Sequence, residues 1–88
     1  MWIRSQDKEE LRNVNNIEIM KFDGEKYTTI LGDGCHLGIY STKEKALKVL
    51  DEIQKEIIYL DTHEMLSNMG TYKINYVYQM PADDEVEV

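Results

Sequence analysis

Hydrophobic positions along the chain change period twice. From Ile17 to Phe22 they alternate, with Ile17 and Ile19 on one face, and Tyr27-Thr28-Thr29-Ile30-Leu31 follows as a second run of β-formers. Asp23-Gly24 between the two runs is the dipeptide of a tight hairpin turn. Gly32-Asp33-Gly34 marks another reversal and leads through Cys35 and His36 into Leu37-Gly38-Ile39-Tyr40, so three strands should form an antiparallel meander. The period then lengthens: Ala46, Leu50, Ile53, Ile57 and Leu60 recur four and three residues apart, which places them on one side of an α-helix. Ser41-Thr42-Lys43-Glu44 reads as the capping box of that helix, the Ser41 hydroxyl accepting from the Glu44 N–H while the Glu44 carboxylate reaches back. Gly70 is placed to end the helical region. Beyond it the period returns to two, with Tyr72, Ile74, Tyr76, Tyr78 and Met80 alternating with Lys73, Asn75, Val77 and Gln79. That pattern predicts a central strand with a tyrosine-rich core face, terminated by Pro81.

The remaining segments are less regular. Met1-Trp2-Ile3-Arg4-Ser5 reads as a short first strand with Trp2 and Ile3 on opposite faces. Asp7 can cap a single helical turn anchored by Leu11, and Asn13, Asn15 and Asn16 around Val14 predict irregular backbone. A helix over residues 42–69 would span about 40 Å, against about 30 Å for a nine-residue strand. The apolar stripe also breaks after Leu60, where Asp61-Thr62-His63-Glu64 resembles a second capping box. A main helix from about residue 42 to 60 with a kink or restart near Asp61 is therefore expected; the competing arrangement is one continuous helix whose far end packs on another copy.

Together these elements predict an α+β fold: a five-stranded, mostly antiparallel sheet with one long helix on one face, in the order β-β-β-β-α-β. Residues 1–82 are expected as a single compact domain and 83–88 as an acidic, flexible tail. One helix covers one sheet face, so Trp2, Met20, Phe22 and Val77 would leave the other partly apolar, and a homodimer could form there or through the helix end.

Composition narrows the class of function. At 88 residues the chain can build one core. With 10 Lys+Arg against 17 Asp+Glu it lacks the basic stripe of a nucleic-acid binder, so direct nucleic-acid binding is not expected. An acidic surface serves solubility and can also engage a basic protein. No apolar run approaches the ~20 residues of a membrane span. One cysteine and the lack of a basic-then-apolar leader pattern predict a cytoplasmic protein.

Candidate chemistry is sparse. Cys35 and His36 are adjacent, so in a strand they face opposite ways, and no second Cys-His cluster completes a metal site. His63-Glu64 would need a histidine where Ser67 stands to form a helical zinc motif. Ser41 and Thr42 are explained by capping, and Gly32 and Gly34 precede a strand and not a helix, which makes them a turn. No catalytic residues, cofactor or metal ligands are assigned. On a helical wheel Lys45, Lys48, Glu52, Glu56, Tyr59 and His63 oppose the core stripe, with Asp51 and Lys55 at its edge. Lysines crowd the first turns and acids the later ones, against the helix dipole. A face arranged against local stability suggests a partner, and the partner-binding residues expected are Asp51, Glu52, Glu56, Tyr59, His63 and Glu64.

Three segments carry a resemblance: the opening Met1-Trp2-Ile3-Arg4-Ser5-Gln6-Asp7-Lys8, the segment from Leu37 to Ala46 with Val49-Leu50-Asp51-Glu52-Ile53-Gln54, and Tyr78-Gln79-Met80-Pro81. They resemble a group of small uncharacterised proteins of Gram-positive bacteria and their phages or mobile elements. The resemblance implies a bacterial or phage cytosolic protein and supplies no catalytic residue. With the charge, it leads to the expectation of a non-catalytic acidic interaction module, an inhibitor or regulator of a host factor with a basic surface. The alternative is a module that binds or sequesters a nucleotide or metabolite.

Overall fold

The computed structural model describes residues 1–22, 27–67 and 77–88; for Phe22 and residues 59–67 it describes the backbone alone. The order is β1 (Trp2–Arg4), β2 (Leu11–Asn13), β3 (Ile17–Phe22), β4 (Tyr27–Gly32), β5 (Cys35–Tyr40), α1 (Lys43–Ser67), β6 (Val77–Gln79) and a 3₁₀ turn at Asp83–Glu85. The fold is α+β, but among the described residues the strands form two three-stranded sheets, β2-β1-β6 and β3-β4-β5, in place of the single five-stranded sheet.

The meander forms where alternation predicts it. Asp33 and Gly34 make a two-residue turn with φ of 50° and 83°, the pair of positive angles that matches the twist of a tight hairpin. Asp33 also accepts from the Asn16 N–H at 2.9 Å and the Asn15 N–H at 3.2 Å, which ties the turn to the start of β3. Ile30 pairs with Gly38 and Leu31 with His36, so Leu37 is an extra residue, a β-bulge in β5. The bulge resets the alternation: Leu37 and Tyr40 are both buried, though three residues apart, while Ile39 faces outward.

The first sheet is built around β1. β2 pairs with it antiparallel and β6 parallel, the latter with Ile3 opposite Tyr78. Leu11–Asn13 is thus a strand where irregular chain was expected, and Leu11 is exposed instead of anchoring a helical turn. Turn chemistry decides this, since Ser5 Oγ donates to Asp7 and accepts from the Glu10 N–H at 3.0 Å, folding 5–10 into a hairpin connection. Among the described residues β6 lies at the sheet edge and β1 at the centre, which corrects the expected central position of the last strand. Tyr78 and Met80 are buried as their parity requires; Tyr72, Ile74 and Tyr76 lie outside the described residues.

The sheets do not merge because β1 is three residues long and turns away at Ser5. Gln6 takes the place of a strand residue there. Its N–H donates to Leu37 O at 2.8 Å. Its side-chain amide accepts from the Ile39 N–H at 2.9 Å and donates to Ile39 O at 3.0 Å and Pro81 O at 3.2 Å. One core nevertheless unites both sheets and the helix: Ile3, Val14, Ile30, Leu37, Tyr40, Ala46, Val49, Ile53, Tyr78, Met80 and Val86.

α1 runs unbroken to Ser67, so the restart expected near Asp61 is not formed. Its N-cap is Thr42, whose Oγ1 accepts from the Lys45 N–H at 3.1 Å, and not Ser41. Ser41 is taken instead by the chain's end: its N–H and hydroxyl both donate to Asp83 Oδ1, at 2.8 and 3.1 Å. Glu85 closes the 3₁₀ turn by accepting from the Ala82 N–H at 2.9 Å, and Val86 enters the core. Residues 83–88 therefore contribute buried apolar surface and helix contacts.

Candidate functional site

The acidic face of α1 is set by which residues the helix buries. Ala46, Val49 and Ile53 are the buried positions, so the core-facing side is rotated toward Val49 relative to the stripe read from sequence. Rotation draws Lys45 and Glu56 into half-buried positions and turns Ile57 outward. Asp51 and Glu52 are exposed as expected. Tyr59, His63 and Glu64 lie on the α1 backbone, and their side chains are outside those described.

The unusual placement of lysines at the helix start has a structural cause. Lys45 Nζ donates to Asp83 O at 2.9 Å and lies 3.5 Å from Asp83 Oδ2, and Lys48 Nζ donates to Glu87 O. These cations hold the C-terminal segment across the first turns, and the energy of that contact offsets their conflict with the helix dipole. The Ser41 N–H, its hydroxyl and Lys45 together hold the Asp83 carboxyl below its ordinary value, burial opposing them. Burial pushes the Tyr40 phenol well above its ordinary value, aided by the charges of Asp83, Glu52 and Glu85, and its hydroxyl donates to Pro81 O at 2.8 Å.

What the lysines leave over is the acidic segment downstream. Glu52 accepts from the Tyr78 hydroxyl at 3.2 Å, which fixes its side chain against β6. Asp51 and Glu52 form, with Glu44, Leu47, Lys48, Lys55 and Val88, the walls of an open hollow of about 460 Å³. Past Ile53 the described helix side chains stop being buried: Ile57 is 39% exposed and Ile58 58%. A helix of 25 residues is about 37 Å long, more than the 24 Å and 19 Å of the molecule's shorter axes, so α1 must run along its 50 Å axis.

A second surface is the uncovered sheet face expected from sequence; of the four residues named for it, Met20 lies here, whereas Trp2 and Val77 are exposed on the other sheet and the Phe22 side chain is outside those described. The outer side of β3-β4-β5 carries Met20, Tyr27 and Ile39, all about half exposed, around Thr29. Tyr27, Thr29, His36 and Ile39 line a shallow hollow of about 260 Å³ there. The signal for it was the parity of Met20 and Ile39, opposite to that of Ile19 and Ile30, but the bulge at Leu37 concealed which β5 residues share that side.

Cys35 is a half-buried free thiol, and among the described residues no group of three His, Cys, Asp or Glu side chains is placed to hold a metal ion. Among the described residues no helix is long and apolar enough to cross a membrane. No family model, curated protein or solved structure matches the chain.

Proposed function

We propose that this chain is a non-catalytic acidic protein-interaction module, an inhibitor or regulator of a host factor in the bacterial cytosol, and that α1 from Asp51 to Glu64 is the element it presents. One observation supports this above the others: Asp51 and Glu52 stand exposed just before Ile57 and Ile58, which are exposed on the part of α1 beyond its last buried described residue. Apolar side chains flanked by carboxylates on a helix suit a partner groove with an apolar floor and a basic rim. The basic rim would steer encounter, and the isoleucines would supply the desolvated contact.

Capture on immobilised full-length chain from Gram-positive lysate tests the proposal, comparing wild type with Asp51→Lys and Ile58→Lys. A protein retained by wild type at low salt, weakened by each variant and eluted by rising salt is the expected result. Retention that ignores both substitutions, or no retention above a blank matrix, overturns it.

A further inference from the structure

From the outer face of β3-β4-β5 we infer a surface for a second copy of this chain, independent of the partner assigned to α1. Strand register places Met20, Thr29 and Ile39 in one row across the sheet and Glu18, Leu31 and His36 in the next. Directly paired residues share a face, so both rows lie on the side away from the helix. Leu31 is buried yet stands outside the main core cluster, and Thr29 is buried beside it, so the side chains of this face already pack over its centre.

The rows are self-complementary. A two-fold axis laid along β4, midway between two such faces, reverses the strand order and sets β3 of one copy over β5 of the other. Met20 then meets the second copy's Ile39 and Glu18 meets its His36, while Thr29 and Leu31, buried beneath these side chains, lie along the axis. Charge points the same way. Each copy carries −7 overall, so two copies repel except where charge is scarce, and Glu18 is the one formal charge that the described residues set in these two rows. Asp7 reaches the rim near His36, its carboxylate already accepting from Ser5 Oγ and the Glu9 N–H. A basic protein would find less to hold here than on α1.

Area sets the strength. Three strands ~4.8 Å apart and six residues at ~3.4 Å each offer about 300 Å² per copy, or ~600 Å² in total, below the ~1,200 Å² of a stable interface. The dimer is accordingly a weak, transient one.

Sedimentation equilibrium of the full chain from 20 µM to 1 mM tests it. Wild type should rise from 10.4 kDa toward twice that mass. Ile39→Lys should raise the dissociation constant at least tenfold, with Met20→Lys as the second variant should the first lose its far-UV circular dichroism. Glu18→His and His36→Glu should each weaken the dimer several-fold, and the two combined should restore it, as the two-fold arrangement requires. Ile58→Lys should change nothing. A monomer mass at 1 mM, dissociation by Ile58→Lys but not Ile39→Lys, or failure of the exchanged pair to restore association overturns the inference.

Discussion

Asp83→Asn isolates the charge that fastens the chain's end to the helix start. The carboxylate accepts the Ser41 N–H at 2.8 Å and its hydroxyl at 3.1 Å, and faces Lys45 at 3.5 Å. Its side chain is 39% exposed, so the ion pair is screened and contributes only a few tenths of a kcal/mol. Weakening a charged acceptor of the Ser41 N–H adds to that, for a total of about 1 kcal/mol. For a domain of 88 residues this lowers Tm by about 4–8 °C at pH 7. The pH dependence follows from the direction of the shift. Because the folded state holds Asp83 below its ordinary value of 3.8, the stabilisation is fully present above that value and is lost as pH falls through the lower folded one. Urea midpoints of wild type and variant should therefore differ at pH 7 and converge as pH falls below 3.8 and through the lower folded value. A gap of the same size at both ends of that range, or none at pH 7, would refute the latch.

Two further substitutions probe the frame. A Cβ on Gly32 would lie 2.7 Å from Val14 Cγ1 and 2.8 Å from Leu37 Cδ1, both buried, so Gly32→Ala should cost about 2 kcal/mol in urea unfolding. Thr42→Ala should cost about 1 kcal/mol through loss of the cap and Ser41→Ala less, since the Ser41 N–H keeps its bond to Asp83; the opposite ranking would return the cap to Ser41.

The meander and the helix were legible because their apolar spacing reports burial directly: Ile30 and Ala46 are core where the pattern puts them. Parity likewise separated Ile3 from Trp2 and assigned Tyr78 and Met80. The division into two sheets was not legible, since it turns on Gln6 substituting a side-chain amide for strand backbone, and no period records that. β2 was missed because main-chain pairing and the Ser5–Asp7 turn form it, with little apolar burial. The core role of Val86 was hidden in an acidic segment. Its trace was already present in Lys45 and Lys48, whose position against the helix dipole reflected carbonyls from the chain's end that the sequence could not place beside them. The acidic face suffered the same fault: one helical stripe drawn through Leu50 and Ile57, where Val49 is the buried residue, misplaces every neighbour by a third of a turn or less, enough to half-bury Glu56.

The parallel pairing of β1 with β6 has a kinetic consequence. Ile3 pairs with Tyr78, so this sheet cannot be completed until nearly the whole chain is available, whereas β1 with β2, and β3, β4 and β5, need only their own hairpins. Loop-closure entropy is met before such a distant contact returns any energy. During synthesis β1 can pair with β2 at once, but its other edge must wait for β6, with Ile3 incompletely covered, while the meander and α1 can already form. The final fold closes like a clasp, and the hydrogen bonds of Gln6 to Ile39 and Pro81 should be among the last to form.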